Sequence, residues 1–277
     1  MGSGQRWPAG TDPEVASVAR MYDFLLDGRD NYQADRDACA ALLDVVPSMK
    51  DLALNNRQFL RRVVHYLAAE QGITQFIDHG SGLPTRDNVH QVAQRINPSA
   101  AVVYVDNDPI VLAHGRALLG GDPHTAVLQA DMRDTKAIFE HTDTQRLIDF
   151  DQPVAALFVS VLHCIPDHDD PAALIREVTR RLVPGSFLVI CQLVSPDPQV
   201  RDFVTEFMDQ ATQHQWGRVR EQHEVRAYFD GLDIIDPPGL VEVSTWMPDN
   251  DLLRRQRTFE WEEWGGLARV PQRGHLS

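Results

Sequence analysis

The amino-acid sequence predicts an α/β fold built on a mostly parallel sheet, and three observations indicate it. From residue 73 onward, short apolar runs alternate with helix-like segments, as strands do when helices connect them. The run at 154–159 is almost continuously apolar, as expected of a central strand buried on both faces. Polar residues follow several of these runs, at the sheet edge where open α/β folds bind ligands.

The N-terminal 72 residues predict helices without strands. Three helices are expected there, over about residues 13–27, 32–46 and 50–70. Asp12 as N-cap and Pro13 at the first helical position would begin the first of them. We therefore expect an N-terminal helical cap over residues 1–72 and a second domain over residues 73–277.

The second domain predicts alternating strands and helices. Strands are expected at 74–78, 101–105, 125–129, 154–159 and 186–191, with two further candidates at 240–244 and 266–270. Helices are expected at about 87–96, 109–119, 171–183, 198–213 and 221–230.

Composition limits the possible partners and location. The chain has 277 residues, 43% of them hydrophobic, and a formal net charge of -14, so its surface repels nucleic acid phosphates and anionic membranes. Three scattered cysteines without a CxxC pair predict a reducing cytoplasm. No apolar run is long enough to span a bilayer. We expect a small-molecule substrate, no nucleic acid and no membrane partner, while the oligomeric state stays open.

A glycine-rich turn carries the clearest functional signal. The first strand ends at Asp78 and breaks into a turn with Gly80 and Gly82, whose missing Cβ atoms allow a sharp bend and close approach of a ligand. The second strand ends at Asp106, where a carboxylate can accept hydrogen bonds from both ribose hydroxyls. This order of elements predicts an adenosine-containing cofactor.

The turn distinguishes between two such cofactors. The dinucleotide pattern needs a third glycine, and Thr85 stands in its place. The spacing from Gly80 to Asp106 also exceeds the roughly 20 residues usual for that pattern. S-adenosylmethionine has no phosphate and does not need the third glycine. After the third strand, Asp131 could accept from the adenine amino group, or could instead cap a local turn.

The segments 19–32, 78–90 and 103–109 resemble a known bacterial family. It is the S-adenosylmethionine-dependent methyltransferase family formerly described as a domain of unknown function, and the likeness extends over about residues 12–270. The resemblance implies a Rossmann-like class I methyltransferase sheet of seven strands, the last inserted antiparallel between its neighbours, with an N-terminal helical cap. His79 replaces an aliphatic residue often found there, which is expected to change the pocket wall.

The resemblance and the strand ends together nominate the cofactor-binding residues. They are Arg20, Tyr22, Asp78, Gly80, Gly82, Asp106, Asn107, Asp131, Met132 and Ser160. Arg20 is expected to pair with the cofactor's carboxylate and Tyr22 to cover its apolar part. Tyr22 could instead be a core residue, and Arg57 and Arg86 are rival partners for the carboxylate.

His163 is the candidate catalytic residue. It follows the fourth strand, and a histidine there could take a proton from a substrate hydroxyl or amine as general base. The alternative is a structural histidine bonded to the loop backbone. A metal site is not expected, because Asp169 and Asp170 are typical of caps for the helix that begins at Pro171. Tryptophans in the C-terminal third could line a pocket or pack in the core; they are Trp216, Trp246, Trp261 and Trp264.

The sequence therefore predicts an S-adenosylmethionine-dependent methyltransferase acting on an unidentified, small-molecule acceptor. One alternative is a non-catalytic S-adenosylmethionine-binding regulatory protein. The other is an NAD-type oxidoreductase, which the missing third glycine disfavours.

Overall fold

The computed structural model describes residues 8, 10–85, 87–119, 121–248 and 261–272. The helices are α1 (Val18–Leu25), α2 (Gln33–Val45), α3 (Met49–Ala69), α4 (Val89–Ile96), α5 (Pro109–Leu119), α6 (Thr135–Glu140), α7 (Thr142–Leu147), α8 (Pro171–Arg180), α9 (Pro198–Ala211) and α10 (Gln222–Ala227). The strands are β1 (Gln75–His79), β2 (Ala101–Asp106), β3 (Thr125–Gln129), β4 (Ala155–Val159), β5 (Phe187–Val194), β6 (Asp233–Ile234), β7 (Val241–Glu242) and β8 (Glu262–Arg269). None of the helices in these ranges is long and apolar enough to cross a membrane.

One sheet organises the molecule, in the order β3-β2-β1-β4-β5-β8-β6, and the two-residue strand β7 also pairs with β8. The first five strands run parallel, and β8 runs antiparallel to β5 and β6 between them. This order confirms the class I methyltransferase sheet with its inserted antiparallel strand. Because β8 runs in the opposite direction, its first residues lie at the edge where the parallel strands end.

The N-terminal helices pack on this sheet in two ways. The side chains of Phe59 and Val63 on α3 join the core beneath one face of the sheet. The helices α1, α2 and the start of α3 share a separate apolar cluster with α9, and this cluster contains Trp216 and Trp261. The predicted helical cap is therefore present and is continuous in its packing with the C-terminal half of the chain.

Several boundaries differ from the sequence prediction. The first helix begins at Val18, because residues before it form a turn in which Asp12 accepts from the Glu14 backbone N–H. The short helices α6 and α7 were not predicted. The candidate strand at 240–244 is cut to Val241–Glu242, since residues 243–245 wind into a 3₁₀-helix. The strand predicted at 266–270 begins earlier, at Glu262.

Candidate functional site

A cavity of about 1000 Å³ lies at the carboxyl edge of β1 to β4, beneath α1. Its volume is at the upper end of the usual range for ligand pockets, so it has room for a cofactor and a second molecule. All of the predicted site residues line it, namely Arg20, Tyr22, Asp78, Gly80, Gly82, Asp106, Asn107, Asp131, Met132, Ser160 and His163. The fold thus brings together residues that are far apart in the sequence.

The glycine turn forms the floor of one end of the cavity. Gly80 and Gly82 have φ angles of +69° and +65°, in the left-handed region that favours glycine. A Cβ added to Gly80 would come within 2.2 Å of a Val161 methyl carbon. The N–H groups of Gly80 and Ser81 both donate to the Val105 carbonyl, which fixes the turn to the end of β2.

Asp106 is fixed by the same turn. Its Oδ2 accepts from the Gly82 N–H at 2.8 Å, and its Oδ1 accepts from the Asp108 N–H at 2.9 Å. Each carboxylate oxygen keeps a further lone pair, so two ribose hydroxyls can be accommodated. Burial raises the pKa of Asp106 to about 6, and the backbone N–H groups partly offset that rise.

Asp131 lies at the rim of the cavity, at the same end as the glycine turn, but its acceptor positions are occupied. The Arg133 Nε donates to both carboxylate oxygens at 2.9 Å, and the Arg133 guanidinium also pairs with Asp169. The predicted contact of Asp131 with adenine therefore requires Arg133 to move. The Met132 Cε lies beneath the glycine turn, 3.2 Å from a Cβ added to Gly80, and Asn107 is exposed at the rim.

Arg20 does not face the cavity as a free cation. Its Nε donates to Asp35 Oδ2 at 2.8 Å, both side chains are buried, and its guanidinium lies 4.7 Å from the centre of the Tyr32 ring. These contacts indicate that Arg20 stabilises the cap, and they argue against the predicted pairing with the cofactor's carboxylate. Of its two rivals, Arg57 lines the cavity and donates to Asn88 at 3.0 Å, while position 86 lies outside the described residues.

Tyr22 lies over the cavity and is also held by α3. Its hydroxyl donates to the Ala53 carbonyl at 3.1 Å and accepts from the Asn56 Nδ2 at 2.9 Å. Burial raises the pKa of this phenol above its usual range. The two alternatives weighed for Tyr22 are thus compatible, because the residue is packed and lines the cavity at once.

Asp78 and His79 point to opposite faces of β1, as successive strand residues do. Asp78 lines the cavity, and burial raises the pKa of its carboxyl to about 7 although the Arg57 charge opposes that rise. His79 stacks on Phe158 in the core, with 4.2 Å between the ring centres. The expectation that His79 changes the pocket wall is therefore wrong.

His163 is arranged as a donor. Its Nδ1 accepts from the Leu193 N–H at 3.3 Å, so in the neutral ring the proton is carried by Nε2. Burial, with a contribution from the Arg220 charge, lowers the pKa of His163 to about 3. A ring that holds its proton on the second nitrogen and resists another is a poor general base. This geometry argues against the predicted role and favours the structural alternative.

Of the two predicted helix caps after His163, one is confirmed. Asp170 is the N-cap of α8, and its side chain accepts from the Ala173 N–H. Asp169 pairs with Arg133 instead. Among the tryptophans, Trp216 lines the cavity, with 4.8 Å between the centres of its ring and the His163 ring. Trp246 and Trp261 are completely buried.

Sequence reasoning missed Glu263, which lines the cavity at the start of β8. The Ser160 Oγ donates to its Oε1 at 2.5 Å, and Ser160 itself has a left-handed φ of +56°. The side chain is buried, and its Oε2 has no hydrogen-bond partner in the described part of the chain. The Cys191 thiol lies beside it but donates to Asn56 Oδ1 at 3.0 Å. Burial raises the pKa of Glu263 to about 7.

The residues fit a cofactor that is an adenosyl sulfonium. At Gly82 no atom of the described residues lies within 4 Å of an added Cβ, so a ligand can approach the backbone there, and Asp106 offers acceptors for ribose. Carboxyl groups of Asp78 and Glu263 supply negative charge along the cavity for a cationic ligand.

Comparisons with known proteins agree with this geometry. A sequence profile described as S-adenosyl methyltransferase matches residues 5–271. A crystal structure of a candidate methyltransferase from Thermobifida fusca YX is 37% identical, with a TM-score of 0.87, over 96% of this chain and 100% of that one. A DUF574 family protein from Streptomyces avermitilis MA-4680 is 33% identical, with a TM-score of 0.85, over 94% of this chain and 99% of that one. No curated protein matches.

Proposed function

This chain belongs to the S-adenosyl methyltransferase family, whose cofactor is S-adenosylmethionine, and we propose that it transfers the cofactor's methyl group to a small-molecule acceptor. The observation that carries the proposal is the position of Asp106 beside the glycine turn. Its two oxygens are oriented by backbone N–H groups and keep lone pairs toward the cavity.

We assign the cofactor-binding tasks along the cavity. Gly80 and Gly82 would admit the cofactor, Asp106 would hold the ribose hydroxyls, and Asp78 would face its cationic half. Asn107, Asp131 and Met132 would border the adenine, and Tyr22 and Ser160 would close the other side. For the cofactor's carboxylate we favour Arg57 over Arg20, because Arg20 is paired with Asp35.

When bound, the cofactor supplies a methyl carbon activated by the positive charge on its sulfur. The protein's residues then need to orient the acceptor and exclude water more than to supply acid or base. The helices α1 and α3 contribute Met21, Tyr22 and Asn56 to the cavity wall, above the strand ends. This cover supports exclusion of water from the site.

Several features support a small acceptor. The cavity is roofed by the cap and closed on another side by α9, which suits a small molecule better than a polymer. We retain residues 1–72 as the cap and 73–277 as the methyltransferase domain. The free thiols of Cys39, Cys164 and Cys191 support work in a reducing compartment such as the cytoplasm.

Titration calorimetry with S-adenosylmethionine and S-adenosylhomocysteine tests the proposal. We expect both to bind one site per chain, and we expect labelled methyl to appear in a low-molecular-weight product when the protein is mixed with small-molecule extract. Binding of neither compound to folded protein would overturn the proposal. Binding of both without any methyl transfer would instead indicate the regulatory alternative.

A further inference from the structure

The end of the cavity at Gly80, Gly82 and Asp106 is here called the nucleoside end, and the space beside the apolar part of the cavity wall is called the distal chamber. Its wall is apolar and is formed by Met21, Leu25, Met49, Leu193, Met208 and Trp216. These side chains belong to or pack against the cluster that joins the cap to α9. An apolar body, including an aromatic ring, would gain free energy by leaving water for this chamber.

Glu263 stands at the floor of the distal chamber. It pairs in register with Leu193 across β5 and β8, so the two side chains share one face of the sheet. Its exposed fraction is 5%, and the Ser160 Oγ donates to its Oε1, whereas its Oε2 has no hydrogen-bond partner among the described residues. A buried acceptor oxygen without a donor is costly and therefore favours a ligand that supplies one.

Glu263 forms no ion pair with any residue in the described part of the chain, and no cationic side chain is among the charges that act on its carboxyl group. The charge that perturbs its carboxyl is another acid, Glu242. Among the arginines that line the cavity, Arg20 is paired with Asp35 and Arg133 with Asp131 and Asp169. The third, Arg57, donates to Asn88, and its charge acts on Asp78 but is not among the charges that act on Glu263. A buried carboxylate needs a paired cation to offset its desolvation. These contacts favour a cationic ligand group over a neutral or anionic one.

We propose, on the basis of the methyltransferase function proposed above, that the acceptor is an apolar amine and that Glu263 binds its ammonium group. The apolar wall holds the body of the acceptor, and Oε2 of Glu263 accepts from the nitrogen at the chamber floor.

The same contact prepares the nitrogen for methylation. An ammonium group has no free lone pair, so it must lose a proton before it can act as a nucleophile. In the proton transfer an N–H bond of the ammonium breaks, an O–H bond forms on Glu263, and a neutral amine and a neutral carboxylic acid remain. The raised pKa of Glu263, about 7, supports this transfer because its carboxylate holds a proton more readily than an exposed one.

Binding of three matched probes tests the proposal: 2-phenylethylamine, 2-phenylethanol and phenylacetate, each titrated into protein saturated with S-adenosylhomocysteine. We expect the amine to bind wild type at least about tenfold more tightly than the alcohol, and the acid to bind worst, since a charge-assisted hydrogen bond is worth at least that ratio. An amine that binds no better than the alcohol overturns the proposal, whatever any variant does.

Two variants test whether Glu263 causes the preference for the amine over the alcohol. Glu263→Gln keeps the size and the contact with Ser160, and we expect it to bring the amine and the alcohol within about threefold of each other. The matched control is Glu262→Gln, on the opposite face of β8, which should keep the wild-type preference. A preference that survives in Glu263→Gln contradicts the assignment. Loss of S-adenosylhomocysteine binding in wild type would contradict the proposed function itself, which separates the two failures.

Discussion

The two ends of the cavity are built differently. At the nucleoside end, consecutive strand ends meet through backbone contacts: the Gly82 N–H binds Asp106, and the Gly80 N–H binds the Val105 carbonyl. The distal chamber is assembled from side chains of five separate elements, namely Met21 on α1, Met49 on α3, Leu193 on β5, Met208 on α9 and Glu263 on β8. Backbone geometry therefore suits the binding of the cofactor, whereas side chains can determine which acceptor binds.

The largest expected effect comes from adding one carbon to the turn. Gly80→Ala would place a Cβ at 2.2 Å from Val161 and force a left-handed φ, so we expect cofactor affinity to fall on the order of a thousandfold. Gly72→Ala is the control, because its φ is +68° but no atom of the described residues lies within 4 Å of the added carbon. Calorimetry with S-adenosylhomocysteine measures both, and equal losses would contradict the account.

A smaller loss is expected at the carboxylate that faces the ribose. Asp106→Ala removes two charge-assisted acceptors, so we expect affinity for S-adenosylhomocysteine to fall roughly a hundredfold. The same variant should leave the amine preference of the distal chamber unchanged once the cofactor product is saturating. Wild-type affinity in this variant would exclude Asp106 from the site.

We expect the charged form of Glu263 to destabilise the ligand-free protein at alkaline pH. Its pKa is about 7 in the folded state against 4.5 for the free side chain, so the folded state binds this proton more tightly than the unfolded state. The contribution of this proton to the free energy of unfolding is complete below about pH 4.5, and it is lost as the pH rises through 7. Glu263→Gln should therefore be more stable than wild type at pH 8, by at most about 3 kcal/mol.

Urea unfolding of both proteins at pH 5 and pH 8 measures this difference. The two free energies of unfolding should approach each other at pH 5, where Glu263 is mostly protonated. A variant that is less stable than wild type at both pH values would show that the carboxyl group is compensated in the folded protein.

Cofactor binding is expected to weaken in acid. The pKa of Asp106 is about 6, and protonation below that pH removes acceptor capacity for the ribose. Affinity for S-adenosylhomocysteine should fall by up to about tenfold per pH unit below 6. Asp106→Asn should lose the part of this dependence centred near pH 6, and a profile identical to wild type in that variant would contradict the assignment.

The smallest expected effect concerns His163. With its pKa near 3, the ring should stay neutral between pH 5 and pH 8 and carry its proton on Nε2. Imidazole nitrogen shifts measured by NMR across this range should not change. A titration near the usual pH of histidine would restore His163 as a candidate base.

The sequence predicted the nucleoside end because its signals are local. The glycine spacing and the acids at the ends of strands identify Gly80, Gly82 and Asp106. The sheet is predicted by the alternation of strand-like and helix-like segments. The start of α1 was misplaced, because Asp12-Pro13 initiates a turn as readily as a helix. Boundaries are fixed by tertiary packing as well as by local preference.

The distal chamber could not be predicted, because its contacts join distant segments. Glu263 reaches the site only because β8 runs antiparallel and begins four residues earlier than its apolar pattern indicates. The sequence also does not reveal that Arg20 is buried and paired with Asp35, because the two residues meet only when α1 packs against α2. The position of the His163 proton likewise depends on a distant residue, because the Leu193 N–H on β5 donates to Nδ1.

A crystal structure with S-adenosylhomocysteine bound would show whether the adenosyl group lies at the glycine turn. In the placement that we propose, both ribose hydroxyls lie within hydrogen-bond distance of the Asp106 carboxylate, and the sulfur faces the distal chamber. Ribose bound elsewhere, with Asp106 still bonded to Gly82 and Asp108 alone, would contradict it.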